Sequence, residues 1–326
     1  MDHDSAGHIQ REDIMYLEHF RLNEFPFSIT PDTSFFMNRS GYQDALNVLL
    51  VALRSGEGFI KVTGEVGVGK TMLCRVLLRS LGPEYVTAYI HNPYINPDSL
   101  LFAIADELGL PYTERVSQYT MLKLITSRLK EFHKGGKRVI VCLDEVQAMP
   151  VKTLEALRLL TNLETEKHKL IQVVLFGQPE LDQLLNQPSI RQLRQRITFS
   201  YRLLPLNRVA MSRYVKHRLK TAGFSDDRLF TNRALELTYR FSGGVPRLIN
   251  IICHKSLLSA YGEGAATVTH KHVAAAASDM DVLYTQDRSH KNPLSSFMNR
   301  WRYGAAVCLL IAIAGTLTYG VQTGIF

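Results

Sequence analysis

Cysteine is scarce in this sequence, and no two cysteines share the C-x-x-C spacing of a redox motif or a zinc site. The four are Cys74, Cys142, Cys253 and Cys308. This scarcity argues against a disulfide-stabilised fold and against structural zinc. It favours buried free thiols in a reducing compartment.

Two other features are missing. The N-terminus begins with acidic and polar residues, so it lacks the positive and apolar regions of a secretory signal peptide. Nothing repeats at a fixed period, which argues against a repeat architecture. Residues 1–14 are charged and have no apolar periodicity, and we predict a disordered leader there.

The charge balance is basic, with a net charge of +8. This permits nucleic acid or anionic lipid as a partner but selects neither. The excess is uneven: between Asn186 and Ala260 there are 14 Lys+Arg and 3 Asp+Glu. A chain of 326 residues with 46% hydrophobic and 21% charged residues has the composition of a globular protein of about two domains.

A phosphate-binding motif lies at residues 64–71, where G-E-V-G-V-G-K-T fits the P-loop pattern G-x-x-x-x-G-K-[ST]. Its glycines let the backbone turn so that successive N–H groups point at phosphate oxygens, and the following helix adds its positive end. Lys70 can reach the β- and γ-phosphates of ATP, and the Thr71 hydroxyl can bind Mg²⁺. The predicted nucleotide-contacting residues are Gly64, Glu65, Val66, Gly67, Val68, Gly69, Lys70, Thr71 and Met72.

An acidic pair follows a second apolar run. Residues 139–143 are continuously apolar, as expected of a central parallel strand, and Asp144 and Glu145 come directly after them. Ligands of open α/β sheets bind at the carboxyl ends of the strands, so this pair is expected beside the P-loop. In this Walker B arrangement Asp144 holds the Mg²⁺ hydration shell and Glu145 activates the attacking water.

The order of predicted elements indicates an α/β fold. Strands are predicted at 58–63, 86–90, 139–143, 170–176 and 197–201, and helices at 42–54, 72–78, 100–108, 119–133 and 151–163. Further helices are predicted at 208–222, 231–241, 246–261 and 271–282. We therefore predict a P-loop domain with a parallel sheet over 15–206, a helical lid domain over 207–282 and a linker over 283–302.

The C-terminal segment 303–321 carries no charge and is dominated by small and aliphatic residues. As a helix it would rise about 28 Å, close to the thickness of a hydrocarbon core. Arg300, Trp301 and Arg302 precede it, and no Lys or Arg follows it. This bias predicts a single transmembrane helix whose N-terminal side faces the cytoplasm. A buried core helix or an oligomer contact is the alternative.

The motifs resemble those of a known family. The P-loop, the acidic pair and G-G-V-P-R at 243–247 together resemble an AAA+ ATPase. Over residues 15 to 282 the sequence resembles the ExeA/GspA family more narrowly. The segments that carry this resemblance are M-Y-L-E-H-F at 15–20, F-P-F at 25–27, T-P-D at 30–32, T-G-E-V-G at 63–67 and G-Q-P-E-L at 177–181.

The resemblance implies roles for further residues. Gln178 stands where a sensor contacts the γ-phosphate or water, and Arg247 where a second sensor pairs with phosphate oxygens. An arginine finger is expected among Arg191, Arg194 and Arg196, with Arg196 the first choice and Arg194 the second. Ordinary surface or turn positions are the alternative for all of them. Three residues line either the adenine pocket or the core: Pro26, Phe27 and Ile29.

The resemblance also implies a homo-oligomer, ring-shaped or hexamer-like, with active sites between subunits. ExeA-type members carry a periplasmic peptidoglycan-binding domain after their membrane helix, whereas this sequence stops at Phe326. The short form therefore favours the branch that serves MSHA pilus biogenesis and argues against direct peptidoglycan binding.

Two functions follow as hypotheses. The preferred one is an ATPase anchored in the bacterial inner membrane, with its ATPase domain in the cytoplasm, that binds and hydrolyses ATP with Mg²⁺. It would support assembly of a type IV (MSHA-like) pilus or a related secretion system, together with inner-membrane assembly proteins. The alternative is a DNA-acting AAA+ ATPase of origin or transposition type. No winged helix follows the helical region, so nucleic acid is the less expected partner.

Overall fold

The structure is a computed structural model that describes residues 16–37, 41–113, 116–160, 163–164, 169–226 and 228–284. Described residues up to Ala274 form one compact unit, and those from Ala275 onward belong to a second. The predicted leader, the predicted membrane segment 303–321 and all but the start of the predicted linker lie outside the described ranges. Within those ranges, no helix combines the length and the hydropathy that a membrane span requires.

Five parallel strands form the central sheet in the order β2-β3-β4-β1-β5. Their bounds are β1 Phe59–Thr63, β2 Tyr85–Ile90, β3 Arg138–Leu143, β4 Ile171–Gly177 and β5 Ile197–Arg202. Strand β4 is buried along its whole length, and β3 is buried after its first residue. This pattern is expected of central strands covered on both faces, and it explains their unbroken apolar sequence. The predicted parallel α/β fold is confirmed.

Helices connect the strands as far as β5, and after β5 the named elements are all helices. Between residues 41 and 196 the α-helices are α1 Gly41–Arg54, α2 Lys70–Ser80, α3 Pro97–Glu107, α4 Gln118–Lys134, α5 Val151–Leu160, α6 Glu180–Leu185 and α7 Arg191–Arg196. The last four are α8 Arg208–Thr221, α9 Asn232–Ser242, α10 Pro246–Gly262 and α11 His270–Tyr284. Short 3₁₀ helices occupy Thr33–Phe35, Val146–Ala148 and Pro188–Ile190. The boundary predicted at residue 206 falls within the first compact unit and stays a prediction.

Local signals account for where several helices begin. Asn96 accepts a hydrogen bond from the Ser99 N–H at the start of α3, and Pro97 occupies its first turn. Ser117 accepts from the Thr120 N–H at the start of α4 in the same way. The two short helices α6 and α7 were not predicted. Each has only 6 residues, which is too few for a helical apolar period to show in the sequence.

The cysteines bear out the prediction of free thiols. Cys74, Cys142 and Cys253 are free and buried, and Cys308 lies outside the described residues. Although Cys74 and Cys142 are far apart in sequence, both thiols are buried in the core. The interaction with the Cys142 thiol and burial raise the pKa of Cys74 well above its ordinary value, so it stays a neutral core thiol.

Candidate functional site

The phosphate-binding loop connects the end of β1 to the start of α2. Gly67 and Gly69 have φ angles of 78° and 100°, which side chains other than glycine rarely adopt. A Cβ atom at Gly67 would lie 2.7 Å from the Cβ of Arg247, so this position also lacks room for a side chain. Gly69 caps α2 in the left-handed region, and the first N–H groups of α2 are left available for an anion.

Lys70, the first residue of α2, is only 4% exposed. Its ammonium donates to the backbone carbonyls of Gly64 at 2.9 Å and Glu65 at 3.2 Å. Burial lowers the pKa of Lys70, and the nearby carboxylates of Glu145 and Asp144 oppose that shift. The side chain therefore packs against the loop, and its ammonium lies close enough to contact phosphate oxygens bound there.

Asp144 is 3% exposed and faces the P-loop from the end of β3. The Thr71 hydroxyl donates to Oδ2 of Asp144 at 2.7 Å, and the Tyr89 hydroxyl donates to the same oxygen at 3.3 Å. Strand β4 separates β1 from β3, and the side chains meet across it. Burial, followed by the charge of Asp144, raises the pKa of Tyr89, so the phenol remains a donor.

This pair of oxygens suits a magnesium ion. Mg²⁺ is bound in nucleotide sites by one or two side-chain oxygens, with phosphates and waters completing its octahedron. Thr71 and Asp144 supply a hydroxyl and a carboxylate oxygen that are 2.7 Å apart, close enough for one ion to bind both. In the part of the chain that the structure describes, no cluster of three or more His, Cys, Asp or Glu side chains could hold a metal ion.

Glu145 adopts a left-handed backbone conformation with φ of 52°. Its Oε2 accepts two amide hydrogen bonds, from Gln147 Nε2 at 2.6 Å and from Gln178 Nε2 at 3.0 Å. The backbone N–H of Gln178 donates to Gln147 Oε1 at 2.9 Å, which completes a triangle of side chains. We name Gln147 and Gln178 the amide clamp. Gln147 was not among the predicted site residues, although it stands only two residues after Glu145.

The predicted arginines lie in different places. The Arg247 N–H donates to Gly67 O at 3.1 Å, and its exposed side chain lines the cavity over the P-loop. Arg196 ends α7, where its guanidinium donates to the Arg158 carbonyl at 3.3 Å. Arg191 and Arg194 are exposed on the same helix. The structure thus brings Arg247 to the P-loop of its own chain, whereas Arg196 lies outside the lining of that cavity.

A cavity of about 360 Å³ extends from the P-loop toward the N-terminal segment and helices α8 and α10. Ligand pockets of this size hold small organic molecules. Of the residues predicted at the adenine pocket, Ile29 lines the cavity, whereas Phe27 is buried and packs edge-on against Phe230. The lining residues that come from the N-terminal segment and from helices α8 and α10 include Ser28, Ile29, Phe35, Phe36, Tyr214, Arg218 and Asn250.

Comparison with known sequences agrees with this geometry. Residues 53–185 match the family described as AAA domain. General secretion pathway protein A of Aeromonas hydrophila is 42% identical over 310 residues, which cover 95% of this chain and 53% of that protein. The chain therefore spans about half the length of this relative.

Comparison with solved structures shows the fold. Drosophila ORC bound to DNA matches with a TM-score of 0.59 and 19% identity, over 87% of this chain and 70% of the other. The Aeropyrum pernix ORC1 protein in complex with DNA matches with a TM-score of 0.58 and 19% identity, over 78% of this chain and 69% of the other. The Walker-type ATPase of Pyrococcus abyssi matches with a TM-score of 0.56 and 13% identity, over 84% of this chain and 80% of the other. At such identities the shared feature is the fold alone.

Proposed function

We propose that this chain, whose residues 53–185 match an AAA domain, is a P-loop ATPase that supplies ATP hydrolysis to a secretion system. The name of the relative from Aeromonas hydrophila supports the secretion context. A type IV (MSHA-like) pilus assembly is the narrower form of this proposal, and inner-membrane assembly proteins are the proposed partners.

One observation carries the catalytic part of the proposal. The hydroxyl of Thr71 lies 2.7 Å from Oδ2 of Asp144, so the P-loop and the acidic pair converge although 73 residues separate them in sequence. Residues 64–72 would bind the triphosphate through backbone N–H groups, and Lys70 would contact its terminal phosphates. Thr71 and Asp144 would hold Mg²⁺, which when bound neutralises charge on the phosphates.

Glu145 is the proposed general base. It lines the cavity, and the amide clamp occupies one carboxylate oxygen. The other oxygen can then accept the proton of an attacking water. Gln178 touches Glu145 directly, so its proposed sensor role operates through that carboxylate and through the water it orients.

Two arginines complete the proposed site. The backbone N–H of Arg247 donates a hydrogen bond to the P-loop residue Gly67, which supports a role for Arg247 as a second sensor on the phosphates. Arg196 is proposed to act in trans, on the nucleotide of a neighbouring subunit in a ring. The edge position of β5, beside the end of α7, is compatible with such a contact.

Residues 303–321 are proposed to anchor the chain in the inner membrane, with the ATPase domain in the cytoplasm. The uncharged composition of this segment and the arginines before it support this part. Partner capture tests the assembly role. Glu145→Gln should hold the nucleotide-bound state, so crosslinked membranes should yield secretion or pilus assembly proteins that Lys70→Ala does not retain. Recovery of the same proteins with both variants would contradict ATP-dependent assembly.

A DNA-acting ATPase is the second candidate, because the sequence between Asn186 and Ala260 contains 14 Lys+Arg and only 3 Asp+Glu. Electrostatic DNA binding weakens steeply with salt. Titration of fluorescent duplex DNA into residues 15–287, compared between low and physiological salt, tests it. Tight binding at physiological salt favours this candidate, and its absence favours the assembly role.

A further inference from the structure

Arg218, on α8, is a buried cation that lines the cavity over the P-loop. It is 3% exposed, and within the described part of the chain no carboxylate forms an ion pair with it. Burying a charge without such a partner is costly unless hydrogen bonds compensate. Its guanidinium must therefore obtain its hydrogen bonds from neutral groups around it, since the charge of the exposed Asp32 acts on it only from beyond ion-pair distance.

Those neutral groups belong mainly to the N-terminal segment. The guanidinium donates through Nε to the Pro26 carbonyl and through Nη2 to the Ser28 carbonyl at 3.4 Å. Its third donor, Nη1, bonds the Tyr214 hydroxyl at 3.0 Å. Its central carbon lies 4.5 Å from the centre of the Phe35 ring, a cation–π contact. A planar fork is needed to reach all of these groups at once.

A second helix holds the same segment. The Tyr214 hydroxyl donates to Asn250 Oδ1 at 2.9 Å, and Asn250 Nδ2 donates to the Ser28 carbonyl at 3.1 Å. The Ser28 carbonyl is thus bound from α8 and from α10. We name residues 26–31 the wall segment, since four of its residues line the cavity: Ser28, Ile29, Thr30 and Pro31.

Two parts of the cavity lining differ in chemistry. The P-loop presents Lys70 and backbone N–H groups, which suit phosphates. The N-terminal segment presents Ile29, Phe35 and Phe36, which suit the flat face of a nucleobase. A nucleoside triphosphate held by the P-loop would direct its base toward the wall segment.

We propose that Arg218 is a positioning residue for the base end of the nucleotide site. It fixes the wall segment against α8 and α10, so that base binding depends on the contacts of Arg218, while the P-loop holds the phosphates without them. This inference rests on the proposed nucleotide binding. Arg218 would thus act on the nucleotide site without contacting the phosphates, which Lys70 and the P-loop backbone are proposed to bind.

The test compares a ligand that has a base with one that has none. ATP and inorganic tripolyphosphate, each with Mg²⁺, are titrated into the full chain as wild type and as Arg218→Met. Methionine keeps much of the buried volume but removes the charge and the fork. We expect ATP affinity to fall about tenfold or more and tripolyphosphate affinity to change by less than about twofold. Under turnover, the KM for ATP should rise while kcat is largely kept.

Three further variants make the test specific. Arg213→Met, at an exposed position of the same helix, should leave both affinities unchanged. Arg218→Lys keeps the charge without the fork and should resemble Arg218→Met. Tyr214→Phe removes only the hydroxyl that links Arg218 to Asn250. It should weaken ATP binding selectively, and it decides the question if Arg218→Met does not fold.

The inference is overturned if folded variants bind ATP like the wild type. It is overturned equally if both ligands weaken in parallel, because Arg218 would then support the fold as a whole. A wild-type chain that binds neither ligand would contradict the proposed function itself, and the inference would fall with it.

Discussion

The side-chain amide of Gln147 donates a hydrogen bond of 2.6 Å to the carboxylate of Glu145, and it accepts one of 2.9 Å from the backbone of Gln178. Gln147 therefore connects the carboxylate at the end of β3 to the residue that follows β4. A carboxylate held in this way has one oxygen occupied and one oxygen oriented. The position of the proposed general base depends on this contact.

Gln147→Glu tests that dependence. The new carboxylate still accepts from the Gln178 N–H, but it places a like charge beside Glu145. A like charge disfavours ionisation and raises the pKa of the carboxylate pair, so the base is protonated at a higher pH than before. We expect kcat to fall at neutral pH and the acidic limb of the kcat profile to move to higher pH, with ATP affinity unchanged. Gln183→Glu, at an exposed position of α6, is the matched control, and an unmoved acidic limb would exclude the contact as catalytically relevant.

Binding and turnover should separate between Lys70 and Glu145. Lys70→Ala removes the buried cation at the terminal phosphates and should abolish ATP binding. Glu145→Gln should retain binding and lower turnover by about 10²–10⁴-fold, because only water activation is lost. Equilibrium binding of a fluorescent ATP analogue and steady-state phosphate release measure the two effects. Equal turnover by wild type and Glu145→Gln would refute the assignment of the base.

Mixing two inactive variants tests the arginine finger. Arg196→Ala should bind ATP but turn it over about 10³–10⁵-fold more slowly. Mixed with Lys70→Ala, it should regain activity, since the intact Arg196 of one subunit can complete the intact P-loop of another. Co-assembly must be shown by size. If co-assembled mixtures stay inactive, Arg194 and then Arg191 are tested in the same way.

Deleting residues 301–326 should convert a membrane-bound chain into one found in the soluble fraction. This segment contains the uncharged run 303–321, which is long enough to span a bilayer. Fractionation of both forms, with high-salt and alkaline washes, measures the effect. Release of the full-length chain by salt alone would show that the segment does not span.

Much of the sheet and of the P-loop could be predicted from the sequence, because those features are local. The apolar run 139–143 with Asp144 and Glu145 identifies β3 and its ligand end, and the structure begins that strand only one residue earlier, at Arg138. The P-loop likewise predicts a helix after it, and the structure begins α2 at Lys70, two residues before the predicted start at Met72. Periodicity and glycine placement are properties of neighbouring residues, so one sequence suffices to detect them.

The contacts that connect distant segments could not be predicted in this way. Arg218 lies in a stretch with 14 Lys+Arg, where each cation is expected at the surface, yet it is buried against carbonyls from residues 26 and 28. Gln147 appears in the sequence as one polar residue of a loop. Its role depends on Gln178, which β4 delivers from 31 residues away. Such pairings arise from the strand order, which no local pattern encodes.

That order has a consequence for synthesis of the chain. Strand β1 pairs with β4 and β5, and its register places Thr63 opposite Gly177 and Arg202. A nascent chain that has exposed the whole P-loop sequence must therefore wait until both later strands have left the ribosome before β1 acquires its neighbours. Pairing between such distant segments is slow compared with local helix formation. Nucleotide capture would then be a late event in biogenesis, and ATP in the surrounding medium would stabilise only chains that have completed the sheet.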